Sequence, residues 1–347
     1  MHRDENFQDR LAQYINTGSL SKADYLLRGI SVKWTFKKNS KYFISNYCRY
    51  IKKRPELQAE PDVVEIQPYR GSNPFVLHMM KYLSRWLRND LVGAFVHGSL
   101  ATYEEIAYSD FDALVIIKNE VFSDAARLAN TAYLLNRALR IMFAYDPLQH
   151  HGWFVLTEQD LKNYKGESLP VAVFPYMKSL LPGKNLLHIC MNKSGPRSPA
   201  LFDNLAASTV GKLQAAHYPR NLYDLKSLLS QFMLLPAAYI QARDGHGIFK
   251  RESFIEAARD FSRQEWKVMD EVSSIRRNWV DSVDKFSRVL SVNAPFPLRS
   301  RLLRISTRNI PTGLREICGQ RLFKAMLDFT FLLKDKLTSQ HHTKKHV

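Results

Sequence analysis

The fold of this chain is decided by two apolar runs, Leu91-Val92-Gly93-Ala94-Phe95-Val96-His97-Gly98-Ser99 and Asp110-Phe111-Asp112-Ala113-Leu114-Val115-Ile116-Ile117, with a polar decapeptide between them. Each run has the length of a strand. The first ends in two small residues that are typical of a turn, and the second opens with two acids. The stretch therefore predicts two strands, with a turn at the end of one and paired carboxylates at the start of the other.

Asp110 and Asp112 are spaced so that both point to one face of a strand, because side chains alternate along it. We expect their positions to be about 6 to 7 Å apart along the strand. Paired carboxylates suit hard divalent cations such as Mg²⁺, which take oxygen ligands and keep phosphate oxygens in their shell. The pair therefore predicts a metal site.

Gly98 and Ser99 predict a phosphate site beside these acids. Glycine has no Cβ, so its backbone can approach a ligand closely. Ser99 adds a hydroxyl at the predicted start of a short helix over residues 99 to 106, where backbone N–H groups attract anions. A phosphate site next to a metal site indicates metal-assisted phosphoryl or nucleotidyl transfer.

These residues together resemble the signature of the DNA polymerase beta-like nucleotidyltransferase superfamily. That signature is an apolar strand ending in Gly-Gly or Gly-Ser, a spacer of about ten residues, and Asp-apolar-Asp or Glu in a second strand. Gly98, Ser99, Asp110 and Asp112 match it, and Ser109 before the first acid is also typical of it. The resemblance covers residues 75 to 160.

The resemblance implies an enzyme that moves a nucleoside monophosphate from a nucleoside triphosphate to an acceptor. Asp110 and Asp112 would hold two Mg²⁺ ions, or Mn²⁺ in their place. Gly98 and Ser99 would hold the β- and γ-phosphates. The family also has a third carboxylate, which acts as a metal ligand and as the base for the attacking hydroxyl.

The third catalytic group has more than one candidate. The family places it in a third strand, which we expect within residues 143 to 156. Asp146 follows an apolar run and is the best carboxylate there, although Pro147 directly after it ends a strand more naturally than it continues one. His150 or His151 could take the same place, since a histidine accepts a proton at neutral pH but is a poorer Mg²⁺ ligand.

The surrounding pattern predicts an α+β protein with a nucleotidyltransferase-type mixed sheet and flanking helices. Helices are expected over 75 to 89 and 123 to 142, which gives the order α-β-α-β-α with a third strand to follow. The runs 171 to 174 and 186 to 190 look like further strands. We predict a basic, largely helical N-terminal extension at 1–72, a catalytic domain at 73–204 and a helical C-terminal domain at 205–347.

Apolar residues at helical spacing predict four helices in the C-terminal part, over 222 to 243, 250 to 260, 264 to 277 and 322 to 337. Lys250 or Arg251, after Gly245-His246-Gly247-Ile248-Phe249, could hold the triphosphate, as a basic side chain of the helical domain does in several nucleotidyltransferases. An exposed cation at a helix start explains Lys250 equally well. The run of Arg299, Arg301, Arg304 and Arg308 is expected at the surface.

The charge balance favours a polyanionic partner. The chain has 50 Lys and Arg against 33 Asp and Glu, a formal net charge of +17 over 347 residues. Such a surplus suits nucleic acid or an anionic surface. Basic and aromatic residues alternate near residues 33 to 43, where they could stack on bases or could form an amphipathic helix that packs on the core.

The cysteines and the apolar stretches predict the cellular compartment and whether the chain contacts a membrane. Cys48, Cys190 and Cys318 are sparse and lack metal-ligand spacing, which favours reduced thiols in a cytoplasmic protein. The acids among residues 1–6 argue against a signal peptide, and the longest apolar stretch is too short for a bilayer. We therefore expect no membrane contact. The oligomeric state is left open.

Three functions compete at this point. The favoured one is nucleotidyl transfer to RNA, with a tRNA end as the example that nucleotidyltransferase toxins offer. A second is an enzyme that resembles the aminoglycoside nucleotidyltransferases, although a cationic drug would require an acidic pocket. The third is a catalytically inactive nucleotidyltransferase-like module that binds or regulates.

Overall fold

The chain forms a small mixed sheet with helices on both sides, as a computed structural model describes it for residues 7–21, 24, 32–166, 169–183, 186–192, 199–214, 218–280 and 282–343. The α+β class is thereby confirmed. Residues 1–6, on which the signal-peptide prediction depends, lie outside this set. The helices and strands of the N-terminal part are α1 (Phe7–Thr17), α2 (Val32–Lys53), β1 (Asp62–Glu65), α3 (Pro74–Trp86), β2 (Leu91–Val96), α4 (Ser99–Thr102), β3 (Ala113–Ile117), α5 (Ala125–Tyr145), β4 (Phe154–Thr157), α6 (Glu158–Lys162), β5 (Lys178–Ser179) and β6 (Leu186–Ile189).

The main sheet has the strand order β4-β3-β2-β5, and β1 pairs with β6 in a second, two-stranded sheet. β2 runs antiparallel to β3 and to β5, while β3 and β4 run parallel. A parallel pair requires a crossover connection, and α5 supplies it. Every residue of β3 is buried, so both faces of this central strand are covered.

α3 starts where the sequence predicts a helix start. The Asn73 side chain accepts hydrogen bonds from the backbone N–H groups of Phe75 and Val76, and Pro74 takes the first helical position. Both features favour a helix N-terminus, since proline lacks the N–H that would be unsatisfied there. The predicted order α-β-α-β-α is confirmed.

The N-terminal helices share one apolar core with the sheet. Phe36 and Phe43 of α2 are buried in that core, so the amphipathic interpretation of the basic, aromatic segment is confirmed for these two rings. α1 is joined to the chain ahead of β4. The Asn16 side chain accepts from the Trp153 N–H at 2.8 Å and donates to the Trp153 carbonyl at 3.0 Å.

The C-terminal part consists of helices around a second apolar core. Its helices are α7 (Pro199–Gln214), α8 (Leu222–Phe232), α9 (Leu235–Asp244), α10 (Lys250–Ala258), α11 (Arg263–Arg277), α12 (Lys285–Asn293), α13 (Phe296–Ser306), α14 (Thr312–Ile317) and α15 (Gln320–Thr343). Tyr108, from the decapeptide between β2 and β3, is part of this core. Its hydroxyl donates to the carbonyl of Lys226 at 2.7 Å.

Three secondary-structure predictions require correction. Residues 171 to 174 belong to a 3₁₀ helix, Val171–Tyr176, rather than a strand, and Pro175 within it has no N–H for a strand ladder. The helix expected over 222 to 243 is two helices, because Pro236 lies in the first turn of α9, where its missing N–H is tolerated. The helix expected over 99 to 106 ends at Thr102, and Tyr103 follows in the left-handed conformation.

Among the described residues, no helix is both long enough and apolar enough to cross a membrane. All three cysteines lie in the described part of the chain and are unpaired.

Candidate functional site

Gly98 forms a tight turn after β2 that brings the backbone against Asp112. Its φ is +66°, a conformation that residues with a Cβ rarely adopt. A Cβ at this position would lie 2.7 Å from Asp112 Oδ2. The His97 N–H also donates to the Asp112 carbonyl at 2.9 Å. The position therefore requires glycine for two reasons, its φ and the nearby carboxylate.

Ser99 is engaged by the decapeptide that follows it. Its hydroxyl donates to Ser109 Oγ at 2.8 Å, and Ser109 Oγ accepts from the Ile106 N–H at 3.0 Å. These contacts close the loop between the two strands. Ser99 begins α4 as predicted, but its hydroxyl has a partner within the protein.

Asp110 and Asp112 lie just before β3, not within it, because the strand begins at Ala113. The two carboxylates have different partners. Asp110 Oδ1 lies 2.8 Å from Lys226 Nζ, and Asp112 Oδ1 lies 3.0 Å from His151 Nε2. The prediction that a regular strand sets their spacing is therefore wrong. Burial raises the pKa of Asp112 and Asp110 adds to the rise, but His151 and His97 outweigh both and lower this pKa.

Asp146 caps the end of α5 and is not in a strand, which corrects the expected third-strand position. Pro147 follows it, and β4 begins only at Phe154. Asp146 Oδ1 accepts from the Leu148 N–H at 3.0 Å, while Oδ2 lies 2.6 Å from Lys226 Nζ. The structure thus brings Asp146 to the same ammonium group as Asp110.

Lys226 of α8 links the helical part of the chain to these carboxylates. Its side chain is only 1% exposed. Burial would lower its pKa, but the negative charges of Asp110 and Asp146 outweigh burial and raise the pKa. The ammonium group is therefore charged, and it occupies a point that a cation between two carboxylates would take.

The loop 146–152 is held in place by two buried side chains. Gln149 accepts from the Phe111 N–H at 2.8 Å and donates to the carbonyls of Phe111 and His151 at 3.2 and 3.0 Å. Arg299 of α13 donates to the Pro147 carbonyl at 2.7 Å and also contacts the Gln149 carbonyl. Arg299 is 1% exposed, so its expected surface position is wrong.

The electrostatics of the carboxylates differ from one to the next. Burial raises the pKa of Asp110, but Lys226 and the two histidines outweigh it and hold this pKa well below its usual range. Burial raises the pKa of Asp146 to about 7; Lys226 opposes the rise and Asp110 adds to it. This is the behaviour of two carboxyl groups that share a site, one ionised and one nearly neutral.

His150 and His151 also behave differently. Burial would lower the pKa of His151, but the hydrogen bond to Asp112 raises it to about 9. Both ring nitrogens of His151 face acceptors, Asp112 Oδ1 and the Gly152 carbonyl, as a protonated ring requires. Burial lowers the pKa of His150 to about 4, and its buried Nδ1 has no hydrogen-bond partner among the described residues.

Lys250 and Arg276 add two further cations to this site. Lys250 is the first residue of α10, and its pKa is lowered to about 8 by burial and Arg276, against the opposing charges of Asp112 and Asp110. The Arg276 guanidinium lies 4.7 Å from the Tyr108 ring centroid, and its buried Nε has no hydrogen-bond partner in the described part of the chain. The charges of Asp112 and Asp110 therefore act on Lys250, and its predicted role in holding the triphosphate stays a prediction.

The donor set has the chemistry of a divalent-cation site, but the carboxylates are already engaged. Within the described ranges, no three His, Cys, Asp or Glu side chains are arranged to hold a metal ion. Lys226 bridges Asp110 and Asp146, and His151 pairs with Asp112. Asp110 Oδ1 forms an ion pair with Lys226 and has no hydrogen-bond partner among the described residues. Oxygens that converge on one cation fit Mg²⁺ or Mn²⁺ once the ammonium moves away.

Comparison with known proteins finds no family model, no curated protein and no solved structure that matches this chain.

Sequence reasoning missed Lys226, Arg276 and Gln149. Lys226 carried a usable signal, because it falls at helical spacing with Leu222, Leu225 and Leu229, all of which are buried. A lysine within an apolar helical face requires a buried acid as partner. Gln149 and Arg276 carried no comparable signal, since each contacts a residue distant in the chain.

Proposed function

We propose that this chain is a magnesium-dependent nucleotidyltransferase that moves a nucleoside monophosphate from a nucleoside triphosphate to an RNA acceptor. One observation carries the proposal: Asp110 and Asp146 converge on one cation beside the Gly98 turn and Asp112. Three carboxylates next to a close backbone approach are the parts that this chemistry requires.

The chain's own residues divide the work of binding. The Gly98 backbone and Ser99 would lie against the β- and γ-phosphates of the triphosphate. Lys250 and Arg276 would neutralise the phosphate charge from the helical side, as cations do in phosphoryl transfer. Ser109 would orient the Ser99 hydroxyl through the hydrogen bond that joins them.

Asp110 and Asp112 would hold the metal, with Asp146 as third ligand. Two Mg²⁺ ions, or Mn²⁺, would supply Lewis-acid stabilisation of the charge that develops on the phosphoryl oxygens. The fit depends on Lys226, because its ammonium group must leave Asp110 or Asp146 before either carboxylate can serve as a ligand.

Asp146 is the favoured base for the acceptor hydroxyl. Its pKa of about 7 places it near the operating pH, where a base is most effective. His151 is already protonated in its pair with Asp112, and His150 has a pKa too low for a strong base. Asp146 would take the proton, while the Leu148 N–H orients its carboxylate.

RNA is favoured over a cationic drug because the charges around the aspartates are positive. Lys226, Lys250 and Arg276 would repel an aminoglycoside-type substrate, whereas a polyanion is attracted.

The second candidate, an inactive module, is favoured by one observation: each of the three carboxylates already has a cationic partner. Activity decides between the two.

The test is transfer of label from each α-³²P nucleoside triphosphate to total RNA in the presence of Mg²⁺. We expect labelling by the wild-type chain, and a loss of about 10³-fold or more in Asp110→Asn and in Asp112→Asn. Asp270→Asn, an exposed acid of α11, is the matched control and keeps full activity.

The outcomes separate the candidates. Absence of labelling with any nucleotide, together with Mg²⁺-independent triphosphate binding, would establish the inactive module. Labelling that survives both aspartate variants would overturn the metal-site assignment.

A further inference from the structure

A cavity of about 800 Å³ opens between α8 and α13, apart from the carboxylates described above. We call it the α8–α13 pocket. Six of its lining residues carry the argument: Lys212, Tyr218, Arg220, Asp224, Arg304 and Arg308. Four of these are cations and one is an acid, so the pocket has a strong positive charge.

The single acid of the pocket is already satisfied. Asp224 Oδ1 accepts from Arg304 Nε at 2.9 Å, and Oδ2 accepts from the Asn221 amide at 2.9 Å. The side chains of Arg220 and Arg308 are exposed and have no partner in the described part of the chain. Two guanidinium groups in a concave site without a protein acceptor are matched to phosphate groups of a ligand.

An aromatic ring accompanies the cations. Tyr218 lines the pocket, and its ring is fixed by stacking on Phe323 at 4.8 Å between centroids. Cationic grooves with fixed aromatic rings bind single-stranded nucleic acid, since cations follow the backbone and rings stack with bases. The volume is larger than one phosphate group occupies, which favours a polymer over a free anion.

The pocket and the carboxylates lie on different sides of one helix. Asp224 lines the pocket and Lys226 contacts Asp110, and two residues along a helix are about 200° apart around its axis. A single-stranded nucleic acid held in the pocket would pass around α8 to reach the aspartates.

We propose that the α8–α13 pocket binds the phosphodiester backbone of the RNA acceptor. The proposal rests on the nucleotidyltransferase function above and names where its acceptor is held. Arg220 and Arg308 make the phosphate contacts, Arg304 adds charge while it stays paired with Asp224, and Tyr218 stacks on a base.

The experiment measures the salt dependence of RNA binding. A fluorescein-labelled single-stranded RNA of about 16 nucleotides is titrated between about 50 and 200 mM KCl, without nucleotide or Mg²⁺. The test variant is Arg220→Ala with Arg308→Ala. Neither side chain has a partner among the described residues, so the double variant keeps its fold, which thermal unfolding checks. Arg263→Ala with Lys267→Ala on exposed positions of α11 is the control with the same change of net charge.

We expect the slope of log K against log salt to become shallower by about 1.4 in the test variant, about 0.7 for each phosphate that is no longer neutralised, and to stay unchanged in the control. An unchanged slope in the test variant, an equal change in both variants, or no RNA binding by the wild type would each overturn the pocket assignment. Label transfer is scored separately: binding through the pocket without transfer would leave the pocket standing and remove the enzymatic function.

Discussion

Two buried charge clusters join the sheet to its flanking helices, and they differ in how completely their atoms are satisfied. In the first, Arg54, the residue after the last residue of α2, lies 3.2 Å from Asp160 of α6. Asp160 also accepts from Tyr50 and from both the N–H and the hydroxyl of Thr157, while Arg54 donates to Gln8 at 3.1 Å. Every acceptor oxygen of this carboxylate is filled.

The second cluster, around Lys226, is incompletely satisfied. One ammonium serves two carboxylates, and two nearby buried atoms, His97 Nε2 and His150 Nδ1, have no hydrogen-bond partner among the described residues. A buried network that is fully satisfied fixes a structure, whereas unsatisfied atoms in a buried network require an explanation. The contrast fits a structural role for the Arg54 cluster and supports the proposal that the Lys226 cluster belongs to a ligand site.

The largest effect is expected from removing the proposed base. Asp146→Asn keeps the acceptor for the Leu148 N–H but loses the proton-accepting carboxylate, so the rate should fall by about 10² to 10⁴. Wild-type kcat/KM should rise with pH through about 7, since Asp146 must be deprotonated to act. A pH–rate profile measures both. If His150→Ala is the inactive variant instead, the assignment of the base is wrong.

A substitution in the Arg54 cluster should lower the stability of the fold but leave label transfer unchanged. Arg54→Met leaves Asp160 buried without its charged partner, which costs about 3 to 5 kcal/mol. Urea unfolding should show the same loss of stability with and without Mg²⁺ at about 10 mM, a concentration at which a weakly held ion would be bound. Label transfer per folded molecule should be unchanged, and a loss of transfer in the folded fraction would contradict a purely structural role.

The Lys226 cluster should respond to metal as well. Lys226→Met leaves Asp110 and Asp146 uncompensated, so the metal-free protein should lose about 3 to 5 kcal/mol. Mg²⁺ or Mn²⁺ should restore about 2 to 3 kcal/mol, because the ion takes the position of the ammonium and stabilises only the folded state. If neither ion changes the stability of Lys226→Met, the Lys226 cluster is structural, like the Arg54 cluster, and the metal site is contradicted.

The His151–Asp112 pair should give the metal-free protein a pH-dependent stability. The pKa of His151 is raised from 6.5 to about 9, so its contribution is complete below about pH 6.5 and is lost as the pH rises through 9. The full loss is about 3 kcal/mol. Urea unfolding in EDTA at several pH values measures it. His151→Gln should abolish this dependence, and an unaltered dependence in that variant would assign it to another group.

The smallest effect should come from glycine substitutions. Gly98 and Gly183 both have positive φ, +66° and +69°, so an alanine at either costs about 1 to 2 kcal/mol. A Cβ at Gly183 meets nothing within 4 Å, whereas one at Gly98 meets the Asp112 carboxylate. Gly98→Ala should therefore lose more stability than Gly183→Ala, and only Gly98→Ala should also lose label transfer. Equal label transfer by the Gly98→Ala and Gly183→Ala variants would show that the Gly98 turn is not part of the site.

The sequence pattern predicts those site residues that lie close together in the chain. Gly98, Ser99, Asp110 and Asp112 fall within fifteen residues, and the apolar runs beside them do form β2 and β3. The spacing of the acids was not predictable from a strand, because β3 starts one residue after Asp112. Side chains that come from other helices depend on packing, which spacing does not encode.

Lys226 and Arg299 illustrate this limit. Lys226 meets Asp146 across 80 residues of chain, and Arg299 reaches Pro147 across 152. Arg299 looks like a surface cation when its neighbours alone are considered, and the apolar helical face around Lys226 predicts its burial but not the acids that it meets. Their burial is decided by helix packing around the loop 146–152, where carbonyls and carboxylates require donors.

The pairing of Asn16 with Trp153 has a consequence for the order in which the chain is made. The two residues are 137 positions apart. At about 5 to 20 residues per second, the ribosome completes α1 on the order of ten seconds before Trp153 emerges. During that interval Leu11, Tyr14 and Ile15, which are fully buried in the finished protein, lack the sheet that covers them. α1 therefore reaches its final contacts with Trp153 only after more than a third of the described chain has been made.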